Sequence, residues 1–253
     1  MTDPVYRTIL MFDIERFGRR DDIEQAFLRR VLYDVVDATL VAASVDETLC
    51  LRADRGDSVM ELIDTRAPVA SLLKALITEA PALLHNKNRL MADDTRMRLR
   101  VVLSSGYVAV DDLGGWVGSD LNHAVRLLNA DALRDALGTR DKDSALCVSD
   151  SVYQGVVRHG PLGVRPEDFH RVTVATKEGP TVAWLYGDLA EPSVDDRDTD
   201  DERTNGTAGR TGANTALRRN DTRVGRDQYG MSGGTVHGDL NFGARVADRG
   251  DHR

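Results

Sequence analysis

The chain of 253 residues carries 41 acidic against 33 basic side chains, a formal net charge of −8, and is 41% hydrophobic. That length fits one sizeable core with a small appendage, and the acidic balance argues against nucleic acid as a partner, although a local basic pocket can still hold a small anion. No stretch approaches the roughly 20 apolar residues of a membrane span, and the first residues have no basic region followed by an apolar one, so a cytoplasmic protein without a membrane span is expected.

Residues 6–12 form an apolar, β-branched run without alternation, which predicts a strand buried on both faces and ending at Asp13. Residues 22–41 place Ile23, Phe27, Val31 and Val35 at helical spacing behind an N-cap at Asp21 or Asp22. Residues 47–53 and 58–63 read as strands joined by Asp54-Arg55-Gly56-Asp57, whose Gly and Asp suit a hairpin turn. A second helix is expected over about 69–84. Residues 98–110 read as a strand interrupted at Ser104-Ser105-Gly106, with Gly106 marking a bulge or bend. Residues 119–137 give a third helix with the stripe Leu121, Val125, Leu128 and Ala132 and a stop at Gly138. Residues 145–148, 172–176 and 182–186 read as strands, the last two joined through Glu178-Gly179-Pro180, and 150–157 as a short helix.

The order β-α-β-β-α-β, then α-β-α-β-β, predicts an α+β fold whose first part is a ferredoxin-like split βαβ (βαββαβ) arrangement with C-terminal additions. Residues 1–190 make up this domain. Residues 191–229, with an acidic block at 195–202, bury too little apolar surface to offset ordering and are expected to be a disordered linker. Residues 230–253 begin with a short Gly-rich motif in which Val236, Leu240 and Phe242 weakly alternate, as in a docking tag for a protein partner. Cys50 and Cys147 lie in apolar runs and are expected to be buried free thiols. The six histidines, His123 included, lack ligand spacing, Trp116 and Trp184 sit among apolar neighbours, and no P-loop motif occurs.

Asp13 ends the first strand and Asp57 sits in the hairpin turn, 57 − 13 = 44 residues later. In a split βαβ sheet the end of strand one lies beside that hairpin, so both carboxylates can converge on divalent cations, as phosphoryl chemistry on a triphosphate requires. Asn122 and Arg126, at i and i+4, share a helix face, which suits an Asn orienting a ribose and an Arg reaching the α-phosphate.

Phe12-Asp13-Ile14-Glu15-Arg16-Phe17, Arg55-Gly56-Asp57 and Val117-Gly118-Ser119-Asp120-Leu121-Asn122-His123-Ala124-Val125-Arg126 resemble the motifs of class III adenylate and guanylate cyclases, over roughly residues 6–186. The resemblance implies two ions of Mg²⁺ or Mn²⁺ per site, held by Asp13, Asp57 and the Ile14 carbonyl, and a nucleoside triphosphate closed to a 3′,5′-cyclic monophosphate. It also implies a triphosphate-binding Lys177, and a homodimer with composite sites, because metal aspartates and the Asn/Arg pair come from different protomers. Two positions depart from the family. The base-reading positions fall on Ala53, where a lysine or glutamate is expected, and on Gly115, where an aspartate, threonine or cysteine is expected; a one-residue shift would bring in Asp54 or Asp112 instead. The nucleobase stays open, as does a catalytically degenerate nucleotide-binding or interaction module. A diguanylate cyclase would need a Gly-Gly-Asp/Glu-Glu-Phe hairpin, which Asp54-Arg55-Gly56-Asp57-Ser58 is not.

Overall fold

A computed structural model describes residues 3–93, 95–138, 142–176 and 179–187. The linker and Gly-rich motif expected at 191–229 and 230–253 lie outside the described residues. At the centre is β1 (Val5–Ile14), paired antiparallel along both edges, with β3 (Ser58–Ile63) from Thr8↔Ile63 to Asp13↔Ser58 and with β4 (Leu99–Val110) from Val5↔Val108 to Ile14↔Leu99. Its faces are both covered, which is why its sequence does not alternate. Leu10, Phe12 and Ile14 join a core with α1 (Asp22–Ala42) and α2 (Val69–Asn88), whereas Ile9 and Met11 join a second core with α3 (Ser119–Leu128) and α4 (Asp131–Gly138).

β2 (Cys50–Asp54) completes the first four strands in the order β2-β3-β1-β4, every neighbouring pair antiparallel. This is the split βαβ sheet expected from the sequence. β6 (Ser144–Ser149) adds parallel to β4, and β8 (Gly179–Tyr186) and β7 (Phe169–Thr176) follow antiparallel, while the two-residue β5 (Trp116–Val117) pairs with the end of β4. α5 (Asp150–Gly155) follows β6. Trp116 is core, Trp184 stacks on Tyr153 at 3.4 Å, and both thiols are free with their pKa values raised by burial, Cys50 to about 11 and Cys147 to about 12.

Several local expectations change. α1 is capped by Asp21, whose carboxylate accepts from Glu24 N at 2.8 Å while Glu24 accepts from Asp21 N. Its buried face is Leu28, Val31, Leu32, Val35, Val36 and Leu40; Ile23 and Phe27 lie outside that face and are exposed. Residues 47–49 form a 3-10 turn capped by Asp46, so β2 begins only at Cys50. The third helix breaks in two at Asn129, whose backbone and side-chain amides both donate to the Val125 carbonyl and so end α3.

β4 runs through residues 104–106 without a bulge, in continuous register with β1. Gly106 is there for close approach. A Cβ at this position would run into the side chain of Asp120, which accepts from Tyr107 N at 2.7 Å and fixes the first turn of α3 on the sheet. Gly118 similarly lies where a Cβ would come within 2.6 Å of the Tyr107 carbonyl oxygen. Gly106→Ala is expected to lower the unfolding free energy by about 1–3 kcal/mol in urea titrations, the range for overpacking a filled site; an unchanged midpoint would show that α3 yields freely.

Candidate functional site

Asp13 is the last charged residue of β1 and is 8% exposed. It stands between Ser58 of β3 and Arg100 of β4, on the sheet face covered by α3 and α4. Arg100 donates to Asp13 Oδ2 through Nε at 2.9 Å and also through Nη2. Burial nonetheless pushes the Asp13 carboxyl from 3.8 up to about 6; Arg100 opposes the rise, and the negative charge of Asp57 adds to it. The hairpin expected to bring Asp57 near Asp13 does so: Ile14 N donates to the Asp57 carbonyl at 3.0 Å.

Two neighbouring carboxylates, one of them buried and incompletely compensated by the Arg100 guanidinium and the charge of Arg134, are a donor set suited to a hard divalent cation. Among the described residues no group of three or more His, Cys, Asp or Glu side chains is placed to hold a metal. A cation here would thus rest on Asp13, Asp57 and a backbone carbonyl such as that of Ile14, with water or substrate oxygens completing its shell. No sequence motif marks Arg100. Its only signal was a lone arginine among the apolar residues of β4, at a position whose register partner is visible only once the strands are paired.

Asn122 is exposed on α3. Arg126 is half-buried and lines an open cleft of about 620 Å³ together with the α3–α4 junction (Asn129, Ala130, Asp131, Ala132) and Thr173–Thr176 of β7. Lys177, expected to bind the triphosphate, lies outside the described residues. β7 stands four strand positions from β1 in the order β1-β4-β6-β8-β7, roughly 19 Å at the usual strand spacing. The other wall, the α3–α4 junction, packs over β4, β1 and β6 on the face that carries Asp13.

The two base-reading positions offer no side-chain hydrogen bonds. Ala53 is 2% exposed and packs with Met60 and Leu62 in the apolar cluster. Gly115 closes a tight turn on Asp111: its N–H donates to Asp111 Oδ1 at 2.6 Å and its carbonyl accepts from Asp111 N at 2.8 Å. Asp54, the alternative by a one-residue shift, is engaged by Arg29, Tyr33 and Gly56 N.

No protein-family model matches the chain, and no curated protein matches it. Solved structures do. An adenylate/guanylate cyclase/hydrolase from Silicibacter pomeroyi superimposes with a TM-score of 0.53 at 18% identity, over 75% of this chain and 100% of that one. A bacterial light-regulated adenylyl cyclase gives 0.52 at 13% identity, over 73% and 91%, and the guanylyl cyclase Cya2 gives 0.50 at 15%, over 76% and 96%. The chain therefore has the fold of the class III adenylate/guanylate cyclase catalytic domain. No helix among the described residues is long and apolar enough to cross a membrane.

The raised Asp13 value carries a stability consequence. A carboxyl whose folded value lies above its ordinary 3.8 contributes fully below pH 4, and the contribution is lost as pH rises through about 6, here by at most about 3 kcal/mol. Glu61 of β3, pushed up to about 7 by burial, acts in the same sense, so Asp13 must be isolated by substitution. With EDTA present, the thermal midpoint of the unsubstituted protein is expected to fall relative to that of Asp13→Asn between pH 4 and pH 7. Parallel curves would show that Asp13 ionises without strain.

Proposed function

We propose that the protein is a homodimeric nucleotidyl cyclase that converts a nucleoside triphosphate to a 3′,5′-cyclic monophosphate and pyrophosphate. The observation that carries this reading is the pair Asp13 and Asp57, joined across the β1 end and the β2–β3 turn beside Arg100, on a cyclase fold. Mg²⁺ or Mn²⁺, two ions per site, would rest on Asp13, Asp57 and the Ile14 carbonyl, and would neutralise phosphate charge and favour loss of the 3′-hydroxyl proton. The 3′-oxygen forms a bond to the α-phosphorus as the bond to the bridging oxygen breaks, and pyrophosphate leaves. Arg126 stabilises the charge on the α-phosphate, Asn122 orients the ribose, and Lys177 together with Arg100, turned from Asp13 to the substrate, holds the departing phosphates.

The site would be shared between two copies, the metal carboxylates coming from one and the Asn122/Arg126 pair from the other. A second reading, a nucleotide-binding or interaction module without catalysis, is favoured by the apolar Ala53 and the self-satisfied Gly115. With no side chain at either position to read a base edge, the nucleobase would be selected by shape or by backbone groups. The 191–253 segment is proposed to recruit a protein partner rather than to complete the catalytic domain.

Purified protein incubated with Mn²⁺ or Mg²⁺ and each of ATP, GTP, CTP and UTP is expected to yield one cyclic monophosphate by mass spectrometry, and none with Asp57→Ala or Arg126→Ala. An equimolar mixture of these two inactive variants, allowed to exchange subunits, should recover about a quarter of the activity, since half the dimers are mixed and each has one complete site. A folded dimer without product under either metal would favour the module. Removal of residues 191–253 is expected to leave turnover unchanged, and loss of folding or activity would place the segment in the domain.

A further inference from the structure

The turn that carries Asp57 is held by the neighbouring helix as well as by the sheet. Within the turn, Arg55 N donates to the Ser58 carbonyl at 2.9 Å, Gly56 adopts φ +87°, and Gly56 N donates to Asp54 Oδ1 at 2.7 Å. From α1, Arg29 reaches over with its two terminal nitrogens. Nη1 donates to the Gly56 carbonyl at 3.3 Å, and Nη2 pairs with Asp54 Oδ2. One helical turn on, the Tyr33 hydroxyl also bonds Asp54 and its ring lies under the Arg52 guanidinium at 5.2 Å; one turn further, Asp37 accepts from Arg52 Nη2 at 2.6 Å. Residues 29, 33 and 37 thus form a polar stripe along α1 that grips the β2–β3 hairpin.

Resting on the cyclase reading, we infer that Arg29 is a positioning residue for the metal-binding carboxylate Asp57, fixing its turn through the Gly56 carbonyl and through Asp54, the residue that closes the turn on Gly56 N. Two physical features support this. Gly56 directly precedes Asp57, so holding its carbonyl holds the peptide that leads into the carboxylate-bearing residue, and Asp54, which accepts from Gly56 N, is itself held by Arg29 and Tyr33. The second is geometry, since a single planar guanidinium bridges a backbone carbonyl and a carboxylate, which an ammonium does with less constraint. Arg29 touches none of the atoms that would react.

The test is Mn²⁺ uptake by the full chain without nucleotide, read as loss of the free-ion signal in electron paramagnetic resonance. Thermal midpoints are measured in parallel. Unsubstituted protein should take up Mn²⁺, and Asp57→Ala should abolish that uptake. Arg29→Ala should weaken it by roughly tenfold or more, the usual effect of removing a group that orients a metal ligand, and Arg29→Lys should recover part of the loss. Should Arg29→Ala not fold, Arg29→Met, which keeps the length of the side chain but cannot donate to the Gly56 carbonyl or to Asp54, carries the same comparison. Uptake by Arg29→Ala or Arg29→Met within twofold of the unsubstituted protein, whatever the change in midpoint, would overturn the inference and leave the cyclase reading standing. Absence of Mn²⁺ uptake by the unsubstituted protein would overturn both.

Discussion

The structure is organised around a carboxylate held at the end of a strand that has no solvent-facing side. β1 is hydrogen-bonded along both edges and covered on both faces, so Asp13 is carried into a place where water cannot fully solvate its charge. One guanidinium, from Arg100 on the adjacent strand, meets it, while the neighbouring hairpin adds a second negative charge at Asp57. A protein that only needed a stable sheet would end this strand with an apolar or hydroxyl residue. The cost of the charge is tolerated where function needs it, and a cation or a triphosphate with its metals is the kind of ligand that would relieve it.

Much of the surrounding architecture serves to hold that end of the sheet. The β2–β3 hairpin is fixed by Ile14 N on one side and by α1 on the other, through Arg29 at the turn and through Arg52, which joins Asp37 of α1 to Glu61 of β3. Glu61 is itself wholly buried and lies against Arg52, so the hairpin contains a second charge out of water whose ionisation is penalised. At the opposite end of the site, Gly106 and Gly118 let α3 approach the sheet closely, and Asp120 ties its first turn to β4. α3 in turn sets where Asn122 and Arg126 stand. The two candidate half-sites are thus each attached to the central strands by short, specific contacts, but to different strands.

β6, β8 and β7 extend the split βαβ core outward from β4, and the Arg126 cleft lies between β7 and the α3–α4 junction. α3 packs on β4 and β1 and α4 on β6 and β4, so the two helices span the sheet from the strand that carries Asp13 towards its far edge.

Strand burial, helical spacing and turn residues, being local properties of the sequence, carried the fold class and most of the element order, and put Asp13 at a strand end, Asp57 in a hairpin turn and Asn122 and Arg126 on one helix face. They placed α1 within a residue but included Ile23 and Phe27 in its apolar stripe, since periodicity identifies a stripe without saying which of its residues the partner sheet covers. They marked Gly106 as a bulge, and could not do otherwise, because the side chain that needs the space belongs to Asp120, fourteen residues on in a different element. The roles of Arg100 and Arg29 were likewise illegible, whereas the lack of a polar side chain at Ala53 and Gly115 was plain in the sequence. Each of those roles is defined by a partner brought up through strand register or helix packing, and those distances are decided only when the chain has closed on itself.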